Sequence, residues 1–461
     1  MNNSHSQIIR QRLFIPTRTG DRIYKVVLFL WVLQLFEPAR LLSYYVPLLG
    51  PLKWIPELLL YSTVFIWLKS SRKKRGYPWF TAFIVLSLFG TGVALFGGNW
   101  GIARLINRQL LQYYLLALLS FTYINDEKKL ALLFLMYFLY FFYYALWGIY
   151  SLKISPINPD VNPAARIIIP WHHQFDNRDG FGTAMGIGLA YCAYYYSISQ
   201  RRTFRVLSGL SILLCIGGIV LSFARGVFIG MSITLLYIWY KSKKKIIGML
   251  LLIVATGVLF VAVAFLSSGH NYWETMNTIL TEGSSGGTGA DRKTLWGWAW
   301  RVFLENPIIG VGTGNAGVKF ASMIPEDEIL SHGYTKGKLW GRAIHCVPLT
   351  ILADYGLIGA FIFAMLIVDF LRTNSRTRRV LYAMGGPNLH RPTTIIEENS
   401  TISRRYLVMS SAILACFVAF WVNALFYETL YSAFLWNLIT MNRLLFVNVM
   451  AMREEQKALN E

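Results

Sequence analysis

The feature that most constrains this chain is a series of long apolar segments that are separated, at every second connection, by a cluster of Lys and Arg. These basic clusters span residues 69–75, 201–205, 241–245 and 372–379. The alternate connections are richer in Gly and Trp and poor in clustered charge. Because Lys and Arg concentrate on the cytoplasmic side of membrane proteins, the pattern predicts an inner-membrane protein that crosses the bilayer many times.

A membrane-spanning helix needs about 20 predominantly apolar residues, and this criterion predicts an all-α protein with about twelve spans. Both termini are then cytoplasmic, and the first apolar run is too long for a cleavable signal peptide. The predicted spans are 23–48, 53–69, 79–98, 107–125, 129–152, 182–199, 204–222, 226–241, 246–268, 346–370, 406–427 and 430–449.

The spans and their connections divide the chain into three parts. Residues 1–268 hold spans one to nine together with an outside loop at 154–181, residues 269–345 form the largest outside loop, and residues 346–461 hold the last three spans. On the inside, the connection 372–405 is predicted to be an irregular, solvated loop.

Within the largest outside loop, the string RKTLWGWAWRVFLENP predicts a helix that ends before Pro307. Trp296, Trp300 and Phe303 share one face of this helix. The spacing leaves two interpretations open: the aromatic face lies toward lipid in the membrane interface, or the helix packs on the spans below.

Composition narrows the range of partners. A net charge of +21 would suit nucleic acid, but most of the excess lies in the predicted cytoplasmic connections, where anionic lipid headgroups are the expected neighbours. We therefore predict membrane lipids, and no nucleic acid, as partners. The cysteines show neither metal-ligand spacing nor a disulfide framework and lie in or beside apolar spans: Cys192, Cys215, Cys346 and Cys416.

Three strings resemble binding motifs but are better explained otherwise. Gly312–Gly317 matches GxGxxG, yet that fingerprint needs a preceding strand in a βαβ unit, so a tight turn is predicted. Pro325–Glu328 is more consistent with a solvated acidic turn than with a cation site. His172 and His173 are adjacent, and adjacent side chains on a regular element diverge, so the residues predict no metal site.

A small set of cations on the predicted outer face carries the functional hypothesis. Arg225 lies between two spans with almost no loop, Arg292 begins the helix of the large loop, Arg178 precedes the sixth span, and His345 precedes the tenth. Each alone is consistent with a side chain that reaches toward lipid headgroups. Together they predict a site for an anion with a lipid tail, because the planar guanidinium group binds phosphate oxygens in pairs.

In chain order, four strings resemble the O-antigen ligase and polymerase family of bacterial envelopes. They are SxxR-G, R-x3-W, E-N-P-x2-G-x-G-x-G and H-x2-P-L-x-I-L-x-D-Y-G-x2-G, at Ser222–Gly226, Arg292–Trp296, Glu305–Gly314 and His345–Gly359. The resemblance implies a GT-C-type membrane glycosyltransferase in the bacterial inner membrane with its active site facing the periplasm. It also implies a glycan donor on undecaprenyl diphosphate and an acceptor that is lipid A-core or a growing glycan.

Carried over residue by residue, the resemblance implies that Arg225 and Arg292 hold the donor diphosphate and that His345 is the catalytic base. Arg178 matches less fully, as a further diphosphate ligand. The family often has Asn after this histidine, whereas this chain has Cys346, so a hydrogen bond that orients the imidazole ring is in question.

The chemistry agrees with these roles. Diphosphate is a good leaving group, arginines stabilise the charge that grows on it, and histidine accepts a proton near neutral pH, so no metal or other cofactor is predicted. Direct attack by the acceptor hydroxyl inverts the anomeric centre. One dominant outside loop favours O-antigen ligation onto lipid A-core. A repeat-unit polymerase remains the alternative, since Arg301 and Gly312 bracket ten residues as in polymerase loops, and a solute transporter is the alternative from a different class.

Overall fold

The computed structural model describes residues 18–70, 76–96, 98–154, 169, 178–222, 224–241, 257, 288–384 and 394–460. Every regular element within these ranges is a helix. A 3-10 helix covers Pro47–Trp54. The α-helices are α1 (Arg18–Phe36), α2 (Pro38–Tyr45), α3 (Ile55–Lys69), α4 (Pro78–Ala94), α5 (Trp100–Tyr123), α6 (Glu127–Ile154), α7 (Arg178–Ile198), α8 (Arg202–Leu221), α9 (Arg225–Lys241), α10 (Thr288–Glu305), α11 (Ala316–Met323), α12 (Glu326–Ser331), α13 (Lys336–Leu339), α14 (Val347–Ala383), α15 (Thr394–Ala424) and α16 (Ala433–Asn460).

The prediction of an all-α membrane protein is confirmed. Five helices among the described residues are long and apolar enough to cross a bilayer, and a bent pair, α1 with α2, brings the number to six. Two shorter apolar helices, α4 and α9, coincide with predicted spans. The ninth predicted span, 246–268, lies outside the described residues except for Gly257, and so does most of the loop 154–181. The total of twelve spans stays a prediction.

The first predicted span, 23–48, is not one continuous helix. It breaks at Glu37, whose backbone is left-handed at φ 42°, and the two halves are bent by 46°. Pro38 explains the break, because a proline has no backbone N–H to continue the helix. The Tyr144 hydroxyl donates to the Phe36 carbonyl (3.0 Å), which satisfies a backbone oxygen that the break leaves without a helical partner.

The prediction of an irregular loop at 372–405 is wrong at both ends, because α14 extends to residue 383 and α15 begins at residue 394. Three polar residues of α14 that the hydropathy pattern placed in solvent are buried: Thr373, Asn374 and Thr377. The Asn374 amide donates to the Ser410 carbonyl and to Asn442 Oδ1, both at 3.1 Å. Packing against α15 and α16 therefore continues the helix beyond its apolar part.

Two clusters of buried side chains hold the described residues together. The larger cluster lies among the spanning helices, where α7 packs against α8 and α15, and α14 packs against α16. The smaller cluster contains side chains of α10, α11, α12 and α13 and packs them against residues 344–353. The described part of the large loop is therefore packed against the start of α14.

Helix α10 packs on the protein through one stripe of its surface. Leu295, Trp298, Ala299 and Val302 are its buried side chains in the smaller cluster, and they recur at helical spacing. Trp300 is 46% exposed. The helix is therefore packed on the protein, as the second interpretation expected. Of the three residues of the aromatic face, Trp300 is the exposed one that can contact lipid.

Cysteine labelling tests the predicted topology. Ser331 at the end of α12 and Ser375 in α14 are both exposed, so accessibility alone does not distinguish them. We expect Ser331→Cys to react with a membrane-impermeant thiol reagent added to intact cells and Ser375→Cys to react only after the cells are opened, because the basic connections stay inside. The reverse labelling order would invert the orientation.

Candidate active site

Two segments that hold predicted site residues pack against the turn at residues 425–432, between α15 and α16. On one side, a Cβ on Gly226 would lie 2.9 Å from the Phe426 Cβ, so the start of α9 touches this turn. On the other side, the His345 ring stacks on the Tyr427 ring, with centroids 6.2 Å apart and an interplanar angle of 25°. Arg225 and His345, which are far apart in sequence, therefore flank one turn.

Helix α7 brings the segment of Arg178 to the same place. A Cβ on Gly182 would lie 2.9 Å from the Ser222 hydroxyl and 3.0 Å from Val227, so the first turn of α7 packs against the residues around Arg225. Ser222 is fully buried, and its hydroxyl accepts from the Ala224 N–H (3.3 Å). Arg178 is the first residue of α7, but its side chain is outside the described part of the structure.

Helix α10 places Arg292 one turn before the smaller buried cluster. Leu295, three residues later, belongs to this cluster together with Ile344 and Cys346, the two neighbours of His345. Helix α10 also packs against α14. Arg292 itself is partly exposed, as a side chain that binds a soluble or interfacial anion must be.

His345 has a strained backbone. Its φ is 59°, in the left-handed region that costs a non-glycine residue about 1–3 kcal/mol. Buried neighbours on both sides hold it in this conformation, because Ile344 and Cys346 are 2% and 9% exposed. Cys346 is also the N-cap residue of α14. The helix start and the buried cluster thus fix the direction in which the imidazole ring projects. Packing of Ile344 and Cys346 restricts the backbone of His345 where the family often has an asparagine.

Sequence reasoning missed an acidic residue in the same turn. Glu428 accepts a hydrogen bond from the Thr350 hydroxyl, and Thr350 lies in the first turn of α14. The second carboxylate oxygen, Oε1, is buried and has no hydrogen-bond partner among the described residues. The sequence offered one signal, a lone carboxylate between two apolar runs, but nothing in it paired this residue with His345.

Burial raises the pKa of Glu428 to about 7, because a charged carboxylate is poorly solvated there. A carboxyl with a raised native pKa keeps its proton after the unfolded chain has released it near pH 4.5. Its contribution to stability is therefore complete below about pH 4.5 and is lost as the pH rises through about 7.

We expect Glu428→Gln to remove this loss of stability at high pH. The difference in melting temperature between Glu428→Gln and the unchanged protein should grow in favour of the variant from about pH 5 to about pH 8. Thermal unfolding in detergent measures it, with the exposed Glu454→Gln as a matched control. A difference that stays constant with pH would show that Glu428 does not titrate in this range.

The glycine-rich segment 310–316 is a structural clamp. Gly312 N–H donates to the Asp354 carbonyl, and Gly314 N–H and Ala316 N–H donate to the two Asp354 carboxylate oxygens, all at 2.9 Å. Gly310, Gly312 and Gly314 all have positive φ. The backbone N–H groups that would cradle a phosphate in a nucleotide site are therefore already taken, and the segment forms a tight turn as expected.

Asp354 also connects this clamp to the turn that carries Glu428. The Tyr431 hydroxyl donates to Asp354 Oδ2 at 2.6 Å. Two residues further, Gly356 interrupts α14 at φ 62° and ψ −159°, and a Cβ there would lie 2.4 Å from the Ile308 carbonyl carbon. The D-Y-G string thus locks three segments together.

The acidic residues of the large loop have partners of their own. Glu328 accepts from Arg301 (2.7 Å) and from the Trp298 indole (2.8 Å), and these hydrogen bonds lower its pKa. Glu326 pairs with Lys336 at 3.0 Å. Within the described ranges, no three His, Cys, Asp or Glu residues are arranged to hold a metal ion. His172 and His173 lie outside those ranges.

Comparison with known proteins finds one family for part of the chain. Residues 210–364 match the family model described as O-antigen ligase. The matched range includes Arg225, Arg292, His345 and the clamp around Asp354, whereas the turn that carries Glu428 lies beyond it. No curated protein matches the chain.

Proposed function

We propose that this chain, whose residues 210–364 match the family model described as O-antigen ligase, transfers a glycan from undecaprenyl diphosphate to an acceptor hydroxyl at the periplasmic face of the bacterial inner membrane. The observation that carries this proposal is the turn 425–432, against which the start of α9 and the ring of His345 both pack. Arg225 and His345 thus place a cationic group and a proton acceptor beside one turn. The transfer of a diphosphate-linked sugar requires both groups.

The donor diphosphate is held by Arg225 and Arg292, with Arg178 as a further ligand. Guanidinium groups remain charged and bind phosphate oxygens in pairs. Helices α7, α9 and α14 begin around this site, and the N-terminus of a helix carries a partial positive charge that also favours an anion. The protein thereby supplies the positive charge that a metal ion supplies in other transferases.

The transfer is a single displacement. The acceptor hydroxyl oxygen attacks the anomeric carbon and forms the new glycosidic bond, while the bond from that carbon to the diphosphate oxygen breaks. Undecaprenyl diphosphate leaves with the bonding electron pair, stabilised by the arginines, and the hydroxyl proton passes to His345. Attack opposite the leaving group inverts the anomeric configuration. Glu428, in the turn 425–432, is a second group that changes its protonation near neutral pH.

We assign lipid A-core as the acceptor, which makes the protein an O-antigen ligase. Both carboxylate oxygens of Glu328 accept from Arg301 Nη1, so a contact within the large loop accounts for this arginine. The single dominant outside loop favours the ligase, and a repeat-unit polymerase stays the alternative. A solute transporter stays the alternative from a different class.

An assay with two acceptors tests this proposal. Purified protein in lipid receives the undecaprenyl-diphosphate-linked glycan, lipid A-core and a metal chelator, and products are separated by gel electrophoresis. We expect glycan joined to lipid A-core at an undiminished rate with the chelator. Longer lipid-linked chains without this product would show a polymerase, and the absence of any transfer would refute the proposed function.

A further inference from the structure

A polar cavity lies among the first helices, away from the residues of the proposed active site. It occupies about 120 Å³ between α1, α2, α3 and α5. The break at Glu37, where α1 and α2 are bent by 46°, lies in its lining. Buried polar and ionisable groups within spanning helices are costly and usually functional, so this cavity requires an explanation.

Three glutamine amides line the cavity: Gln34, Gln109 and Gln112. Gln109 and Gln112 are three residues apart and share one face of α5. The Gln34 amide nitrogen donates to Asn437 at 3.5 Å, whereas its carbonyl oxygen is buried and has no hydrogen-bond partner among the described residues. Each amide offers donors and an acceptor together, which is the pattern that hydroxyl groups on adjacent carbons satisfy.

Both carboxylates of the cavity are paired with arginines. Its lining holds two carboxylates, Glu37 and Glu57, and two cations, Arg40 and Lys53. Glu37 lies 3.6 Å from Arg40, and Glu57 accepts from Arg108 Nε at 2.9 Å. Arg108 in turn lies over the Trp54 ring, 4.2 Å from its centroid. Because both carboxylates are paired with arginines, the glutamine amides supply the hydrogen-bonding groups of the lining, and these suit a neutral polyhydroxyl ligand.

The cavity belongs to the same end of the helices as the proposed active site. Asn437, the partner of Gln34, lies in the first turn of α16, immediately after the turn 425–432. We propose that the cavity binds one neutral sugar ring of a glycan that the enzyme handles. This inference rests on the proposed function for the identity of the glycan, while the binding itself follows from the lining. The volume suits a single ring and excludes a chain of several.

Saturation-transfer NMR tests the binding directly on the full purified chain in lipid. The probes are glucose, galactose and N-acetylglucosamine, with inorganic phosphate added as a competitor for contrast and with no donor or acceptor lipid present. We expect at least one of the sugars to bind. The double variant Gln109→Leu with Gln112→Leu keeps the side-chain size and should weaken that binding at least about tenfold, which corresponds to about 1.4 kcal/mol.

Two further variants make the outcome specific. Gln200→Leu, an exposed residue between α7 and α8, should leave sugar binding unchanged, and so should His345→Ala. If the protein binds a sugar but transfers no glycan, this inference is supported and only the proposed function is refuted. Absence of binding by every sugar in the panel, binding that survives the double variant, or sugar binding that phosphate displaces would overturn the inference.

Discussion

Replacement of His345 by Ala is expected to lower the rate of glycan transfer by about 10²–10⁴-fold, the usual effect of losing a general base. Binding of the lipid-linked donor should remain nearly intact, because arginines and not the imidazole ring hold the diphosphate. The two quantities are measured separately, by transfer assay at saturating donor and by equilibrium binding of the donor to protein in lipid.

Two variants separate catalysis from packing. His345→Gln still forms hydrogen bonds but is not a base near neutral pH, so its rate should be as low as that of His345→Ala. Tyr427→Phe keeps the ring that stacks on the imidazole and should retain activity. Substantial transfer by His345→Gln would remove His345 from the catalytic residues and leave Glu428 as the group to test.

Replacement of Arg225 by Ala, or of Arg292 by Ala, is expected to lower transfer by about 10²–10³-fold, the usual cost of removing one donor that stabilises a developing negative charge. Unlike the histidine variants, both should also bind the donor more weakly, since the arginines contact the diphosphate before and during transfer. Arg225→Lys keeps the charge without the paired donors and should lie between Arg225→Ala and the unchanged protein.

The matched control for the arginine variants is Arg202→Ala. Arg202 is exposed and also begins a helix, α8, at the opposite end of these spans. Its loss should leave donor binding and transfer unchanged at equal expression. Equal activity of Arg225→Ala, Arg292→Ala and Arg202→Ala would show that Arg225 and Arg292 are ordinary interfacial side chains.

The site was only partly predictable from sequence. Arg225, Arg292 and His345 are recognisable because short strings around them resemble a family, and the structure places the segments of Arg225 and His345 against one turn. Glu428 was missed because its significance depends on Thr350, 78 residues away. The D-Y-G string was recognised as a match, but its action as a clamp depends on hydrogen bonds from Asp354 to residues 312–316 and from Tyr431.

The sequence by itself determined that this is a helical membrane protein, because hydropathy over about 20 residues and the distribution of Lys and Arg are local properties. Only the tertiary structure decided where helices break and where they continue past their apolar part. Glu37 interrupts a predicted span, while buried Asn374 extends another through hydrogen bonds to α15 and α16. The proposed active site and the polar cavity likewise depend on contacts between distant residues, and such contacts leave no periodic trace in the chain.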